Sequence, residues 1–345
     1  PVLYAPPKSG KNSLIEVVID KLSKNNTLFT LTQINLFNVR TEKLLLKKIC
    51  SNILDSHGVI KEQQQIVIAE LAPLAEPFFI KSGNADIDHL PVDDKIIEQE
   101  KIKAIEDFIE NLDNPFGNKI NFHYLDKSHI NNEEKLGTYG VIQGASKYIG
   151  TTIKLEGMAL EALGYEFEAL VLYLASIGLG SCWLGGTFDR KSFADAMNIE
   201  EGELFPIITP YGYAAPSKHE KEIEMRKMIQ ADKRKDWKEL FFSNDFNNPL
   251  SKDSAGQFLF PLEMVRLGPS ASNKQPWRIV LKDGDFHFYE YKEPGYSDFF
   301  PYDIQRVDMG IAAAHFDFAV KEKTLDGEFK ILSNNIELPE NIEYV

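Results

Sequence analysis

The most specific stretch of the sequence is Arg266-Leu267-Gly268-Pro269-Ser270-Ala271-Ser272-Asn273-Lys274-Gln275-Pro276-Trp277-Arg278. Its pattern predicts the end of a helix, a turn rich in Pro and Ser, and entry into a strand. Such a turn presents hydroxyls, backbone N–H groups and an amide together, which suits a flat heteroaromatic ligand with several acceptor atoms. A well-packed turn without a ligand, anchored by Trp277 in the core, fits the spacing equally well.

A second stretch of small residues follows a long helix predicted over 155–178. It reads Gly178-Leu179-Gly180-Ser181-Cys182-Trp183-Leu184-Gly185-Gly186. Gly178 is expected to cap the helix, and the paired glycines Gly185 and Gly186 allow a ligand ring to approach the main chain closely. The alternative is a cap followed by an ordinary loop. This stretch is not a Gly-x-Gly-x-x-Gly dinucleotide-binding motif, because that motif follows a strand and this stretch follows a helix.

From about Glu98 onward the elements occur in an order that repeats. The first part predicts a helix around 102–112, strands over 119–125 and 148–154, the long helix, and a strand over 205–213. The second part predicts a helix over 257–267, strands over 278–281 and 286–291 joined by a hairpin turn, and a long helix over 308–323. This order suggests an internal duplication, with half-repeats at about 98–218 and 236–345.

Together the two stretches resemble the nitroreductase family of flavoproteins. The resemblance is carried by Pro269-Ser270-x-x-Asn273-x-Gln275-Pro276-Trp277 and by the glycine-rich stretch from Gly178 to Gly186, with further similar segments at 114–118, 135–140 and 303–310. The Pro-Ser motif comes second here, as in the tandem-repeat nitroreductases, in which two half-domains in one chain imitate the usual homodimer. The resemblance implies an α+β nitroreductase-like fold over residues 91–345, able to act as a monomer.

The resemblance further implies that FMN binds between the two halves. The residues implied to contact it are Pro269, Ser270, Ala271, Asn273, Gly185, Gly186 and, at the phosphate, Lys218. NAD(P)H would give a hydride to the flavin, and the reduced flavin would reduce a nitro compound or a quinone. Because the cofactor supplies this chemistry, no side chain is assigned as a catalytic residue.

Residues 1–90 are predicted to form a separate, incomplete α/β segment. Gly10 and Lys11 match the end of the P-loop pattern Gly-x-x-x-x-Gly-Lys-[Ser/Thr], but Ala5 replaces the first glycine and Asn12 the metal-binding hydroxyl. The stretch from Leu3 to Leu14 resembles the opening of the archaeal-type P-loop ATPases. Both a weak nucleotide site at Gly10 and Lys11 and a truncated remnant that binds no nucleotide are compatible with this pattern.

One element of the nitroreductase pattern is missing where it is expected. The family begins with Arg-x-Ser-x-Arg, whose arginines hold the FMN phosphate and ring, and arginine pairs with phosphate in a bidentate way. Upstream of Glu98 the chain reads Lys81-Ser82-Gly83-Asn84-Ala85-Asp86-Ile87-Asp88-His89-Leu90, without an arginine. We therefore expect weakened FMN affinity. The alternatives to an oxidoreductase are an ATP-binding or regulatory protein and a non-catalytic fusion.

The composition of the chain restricts the classes of partner that it is expected to bind. The 345 residues include 38 Lys and Arg against 52 Asp and Glu, a net charge of −14, which argues against nucleic acid or an anionic membrane as partner. Two cysteines indicate a reducing compartment, so we expect a cytoplasmic location. The seven histidines lack metal-site spacing, and no metal is expected. Near the last helix, Arg306 and Asp308 either form a structural pair or line the pocket.

Overall fold

The computed structural model describes residues 97–129, 136–200, 202–215, 217–333 and 335–345. The chain divides into two units, Pro1–Leu90 and Pro91–Val345, and all described residues belong to the second. Gly10 and Lys11, and with them the predicted P-loop segment, lie outside the described residues. None of the helices in the described part is both long and apolar enough to cross a membrane.

The first half forms a four-stranded antiparallel sheet. Its strands are β1 Asn121–Asp126, β2 Lys147–Ile153, β3 Gly180–Ser181 and β4 Leu204–Gly212, in the order β1-β2-β4-β3. Its helices are α1 Gln99–Glu110, α2 Ala159–Ser176, α3 Arg190–Ala196 and α4 Glu220–Met228. Almost all of β2 is buried because helices cover both faces: Ile149 packs with Leu170 of α2, and Tyr148 packs edge-on against Phe193 of α3.

The second half forms a five-stranded mixed sheet. Its strands are β5 Phe241–Ser243, β6 Asp245–Pro249, β7 Trp277–Lys282, β8 Asp285–Tyr291 and β9 Ile342–Tyr344, in the order β6-β5-β7-β8-β9. The pair β5–β7 is parallel and the other pairs are antiparallel. The helices of this half are α5 Trp237–Leu240, α6 Leu259–Leu267 and α7 Gln305–Glu322. Trp277, Leu262 and Ala312 form part of the core between this sheet, α6 and α7.

The two long helices, α2 and α7, cross with their backbones in direct contact. A Cβ on Gly164 would lie 2.0 Å from the carbonyl oxygen of Val307, and a Cβ on Gly310 would lie 2.0 Å from the carbonyl oxygen of Glu161. Each glycine therefore faces the carbonyl three residues before the other, and the contact is reciprocal. Only glycine permits so close an approach of two main chains.

Most elements predicted from periodicity are present, with shifted ends. Asp283 and Gly284 form the predicted hairpin turn with φ of +52° and +93°, as a two-residue turn of this kind requires. Helix α2 begins at Ala159 and not at Leu155, because Gly157 has φ +53° and interrupts a helical start. Helix α7 begins at Gln305, three residues earlier than predicted.

We expect Gly164→Ala to lower the free energy of unfolding by about 3 kcal/mol or more, since the new methyl group would force α2 and α7 apart. Chemical denaturation followed by circular dichroism measures this change. Gly327→Ala is the matched control, because a Cβ there would meet no atom within 4 Å. A control variant that loses as much stability as Gly164→Ala would contradict the backbone contact.

Candidate functional site

The loop between α6 and β7, called here the Ser270 loop (residues 268–276), has an uncommon backbone conformation. Ser272 and Gln275 have φ of +46° and +49°, a region that costs a non-glycine residue roughly 1–3 kcal/mol. Ser270 Oγ accepts a hydrogen bond from the Gln275 N–H at 2.8 Å, and Asp308 Oδ1 accepts one from the Ala271 N–H at 2.9 Å. Strain of this kind persists where surrounding contacts impose it, and it is concentrated at functional sites.

The side chains of Asn273 and Gln275 fasten the Ser270 loop to the segment that precedes α5. Asn273 Nδ2 donates to the carbonyls of Gln230 at 2.7 Å and Lys233 at 3.0 Å. Gln275 Oε1 accepts from the Lys235 N–H at 2.7 Å. Both donors of the Asn273 amide therefore face the protein, and its predicted contact with a flavin stays a prediction.

Trp277 anchors the end of the loop. It is fully buried in the second-half core, as its place in the motif predicts. Pro269, Ser270 and Ala271 lie upstream of this anchor and are half-buried. The rigid end is therefore preceded in the chain by three small residues that keep part of their surface accessible to a ligand.

The glycine loop, residues 180–186, lies against the segment that leads into α7. A Cβ on Gly185 would lie 3.1 Å from Cδ1 of Ile304, and a Cβ on Gly186 would lie 3.4 Å from Cζ of Phe300. Arg190 Nη2 donates to the Gly185 carbonyl at 2.7 Å and so fixes the loop from the side of α3. The close approach explains why small residues are needed here.

The two loops approach neighbouring positions at the start of α7. Asp308 holds Ala271 of the Ser270 loop, and Ile304, four residues earlier, contacts Gly185 of the glycine loop. Four residues rise about 6 Å along a helix and return to nearly the same face. The structure thus brings together, at the start of α7, one loop from each half of the domain.

Lys218 is not joined to either loop. It is exposed in the segment before α4, and no hydrogen bond or ion pair connects it to the glycine loop or the Ser270 loop among the described residues. Its neighbour His219 contacts the carbonyl of Val141 through Nε2 at 3.0 Å. The predicted role of Lys218 at a phosphate therefore stays a prediction.

Three cations lie next to the Ser270 loop without a carboxylate at ion-pair distance in the described ranges. The Arg234 guanidinium donates to the carbonyl of Leu267 at 3.2 Å and to other carbonyl oxygens. The Arg278 guanidinium donates to main-chain carbonyls at 3.0 and 2.8 Å. Lys235 is half-buried beside them. Neutral acceptors bind the two guanidinium groups, and carboxylates such as Glu239 and Glu293 act on Arg278 and Lys235 only from beyond ion-pair distance.

The electrostatics of these cations favour an anion. Burial lowers the pKa of Arg278 to about 10. Burial also lowers the pKa of Lys235, with Arg278 adding to the effect, and lowers the pKa of Arg234, with Arg266 adding to it. A lowered pKa means that the surroundings oppose the positive charge, so a bound anion would relieve that opposition.

The sequence carries a signal for these cations that the family motifs do not include. Lys233-Arg234-Lys235 is a basic run in a chain of net charge −14. In addition, Arg234-Lys235-Asp236-Trp237-Lys238 places basic residues four apart, the spacing of the arginines in Arg-x-Ser-x-Arg. The expectation of weakened FMN affinity stays a prediction.

Arg306 and Asp308 have separate roles. Arg306 forms ion pairs with Glu161 at 3.2 Å, with Glu290 at 2.8 Å, and with Glu343. Asp308 is 2% exposed, and its Oδ2 has no hydrogen-bond partner among the described residues. Burial raises the pKa of Asp308 to about 8. Arg306 therefore has a structural role, in which it joins three glutamates, and Asp308 holds the Ser270 loop.

Comparison with known proteins identifies the domain. The sequence model of a family described as "Putative TM nitroreductase" matches residues 92–320. We found no significant match among proteins of curated function.

Several solved structures are similar to the chain. A "putative nitroreductase" from Thermotoga maritima is 20% identical, with a TM-score of 0.43, covering 72% of this chain and 88% of that chain. An FMN-dependent nitroreductase from Clostridium difficile is 17% identical (TM-score 0.31; 41% and 94% covered). A nitroreductase with bound FMN from Desulfitobacterium hafniense is also 17% identical (TM-score 0.29; 37% and 84% covered).

We expect Asp308→Asn to stabilise the protein increasingly as the pH rises from about 4 to about 8. The folded state keeps the proton on Asp308 up to a pKa of about 8, against an ordinary value of 3.8, so it binds more protons than the unfolded chain in this window. Wild-type stability therefore falls with rising pH through this group, by at most about 1.4 kcal/mol per pH unit. Asparagine stays neutral and still accepts from Ala271.

Urea unfolding across this pH window, compared between wild type and variant, measures the difference. The exposed Asp253→Asn is the control, and we expect its curve to run parallel to wild type. An Asp308→Asn curve that also runs parallel would show that this carboxyl is ionised in the folded protein.

Proposed function

This chain belongs to the TM nitroreductase family, and we propose that it is an FMN-dependent oxidoreductase. The observation that carries the proposal is the group of cations around the Ser270 loop. Arg234, Lys235 and Arg278 have no ion-pair partner in the described part of the chain, although the protein has an excess of acidic residues. An anionic group of a ligand would form the close ion pair that the neighbouring carboxylates Asp232, Glu239 and Glu293 do not form with these cations.

The residues at the start of α7 fit a flavin. The ring system of FMN is flat and needs backbone that can be approached closely, which Gly185 and Gly186 offer on the first-half side. Pro269, Ser270 and Ala271 offer small side chains and main-chain groups on the other side. We assign these residues to the ring, with Asn273 holding the Ser270 loop in shape through its own hydrogen bonds.

The phosphate of FMN is assigned to the cationic side of the loop. Lys235 is the best placed of the three cations, because within the described ranges its ammonium group is not engaged by carbonyl acceptors as the guanidinium groups of Arg234 and Arg278 are. Lys218 remains a second candidate from the first half. Lysine binds phosphate as a point charge and needs no fixed planar geometry.

When bound, FMN would accept a hydride from NAD(P)H and pass electrons to a nitro compound or a quinone. The part of the protein is to bind and orient the cofactor. Arg190 and Asp308 hold the two loops by hydrogen bonds to their main chains, and neither group is needed to transfer a proton in this proposal.

We further propose that the domain is a duplication that acts as a monomer in the cytoplasm. The reciprocal contact of Gly164 and Gly310 supports the duplication, since two equivalent halves related by a two-fold axis would make the same contact twice. With both halves in one chain, the site at the start of α7 forms without a second copy.

We expect the purified chain to retain FMN after gel filtration and to oxidise NADH or NADPH. We also expect Lys235→Gln to weaken FMN binding about tenfold, because the variant loses one contact with the phosphate. Visible absorbance and a fluorescence titration with FMN measure both. Lys103→Gln removes the same charge from the exposed side of α1 and serves as the control.

A chain that stays colourless after incubation with FMN would contradict the proposed function. In that case a titration with ATP would test the alternative of a nucleotide-binding protein at Gly10 and Lys11, and no binding of either ligand would leave the non-catalytic fusion. If Lys235→Gln and Lys103→Gln bind FMN with equal affinity, Lys235 does not contact the phosphate. The assignment of the other residues to the flavin ring would be unchanged.

A further inference from the structure

Glu168 is a buried carboxylate that the proposed flavin contacts do not use. It lies in the middle of α2, and 1% of its surface is exposed. Its Oε2 accepts a hydrogen bond from the indole N–H of Trp183 at 3.0 Å, and its Oε1 lies 2.8 Å from Nε2 of His315. Because a carboxylate oxygen accepts, Nε2 is the protonated nitrogen of His315 in this contact.

The two partners of Glu168 connect it to the two loops. Trp183 belongs to the glycine loop itself, two residues before Gly185. His315 lies on α7, and its Cδ2 is 3.3 Å from the position that a Cβ on Gly268 would take. The imidazole therefore packs against the residue with which the Ser270 loop begins.

The other buried glutamates of α2 are bonded elsewhere. Glu161 pairs with Arg306, and Glu166 accepts a hydrogen bond from the side-chain amide of Asn114. Neither of those partners belongs to the glycine loop or the Ser270 loop. A buried carboxylate is expensive to keep, and an apolar residue would often serve packing as well. Glu168 differs from the other two glutamates because its partners connect it to both loops.

We propose that Glu168 is a positioning residue that sets the separation of the glycine loop and the Ser270 loop by holding Trp183 on one side and His315 on the other. The inference rests on the proposed function, since it concerns the two loops assigned to the flavin. Each link is a hydrogen bond to a carboxylate that water does not reach, and such a bond is costly to break on one side only.

The test compares Glu168→Gln with Glu166→Gln in the full chain. Both changes remove a carboxylate from the same buried helix, but only the first faces the loops. The amide that Glu168→Gln introduces can still accept from the Trp183 indole, but it turns an N–H group towards His315, which accepts it only in the other tautomer, so the carboxylate's hydrogen bond with the imidazole is lost. We expect faster amide exchange in peptides covering residues 180–186 and 268–276 and an FMN affinity weaker by about tenfold. Glu166→Gln should change neither.

Amide exchange is measured without FMN, so the inference and the proposed function can fail separately. If wild type binds no FMN, selective loss of protection in the two loops of Glu168→Gln still supports the positioning role. If Glu168→Gln and Glu166→Gln behave alike in both measurements, the inference is overturned.

Trp183→Phe gives a second route that leaves the buried carboxylate in place and deletes one hydrogen bond. Its effect on protection of the two loops should be smaller than additive when it is combined with Glu168→Leu, because leucine accepts no hydrogen bond and the bond to Trp183 is absent in both variants. Additive effects would show that Trp183 and Glu168 act independently, and would also overturn the inference.

Discussion

The backbone contact between α2 and α7 is the constraint on which the rest of the domain depends. Gly164 and Gly310 allow the helices to meet with main chains touching, and a single methyl group at either position would fill the space. This contact fixes how closely the two helices approach and which face each of them turns to the other. The side chains that radiate from the crossing can then form short, directed bonds between the halves.

Those bonds involve buried carboxylates. On α2, Glu161 reaches Arg306, and Glu168 reaches His315, both on α7. Within the second half, Asp308 of α7 accepts the Ala271 N–H of the Ser270 loop. Buried polar and charged groups are stable only where their partners are already in place. The carboxylates therefore add specificity of arrangement to a crossing that the glycines make possible.

The sequence predicts the local elements well and the contacts between them poorly. Periodicity is sufficient for α2 and α7, because apolar residues recur along each at helical spacing. It misses β6, since Asn247, Asn248 and Pro249 are residue types depleted in strands, and the strand forms where Asp245 and Pro249 pair with β5. The motif comparison points to both loops, but no local pattern shows that Arg234 lies against Leu267 or that Glu168 faces Trp183. Such contacts join residues 15 and 33 positions apart in the chain and depend on how the elements pack, which no local pattern encodes.

The two halves contribute different groups to the proposed flavin site, which bears on how many such sites one chain can form. The glycine loop follows α2 and brings uncharged backbone to the start of α7, while the Ser270 loop brings a strained turn and nearby cations. An equivalent second site would need a glycine pair after α7 and a Pro-Ser turn between α1 and β1. The chain after α7 has a single glycine, Gly327, and residues 111–120 contain no serine. On the proposed duplication, the first half has kept the glycine loop and the second half the Ser270 loop, so one chain would form one of the proposed flavin sites where a symmetric pair would form two.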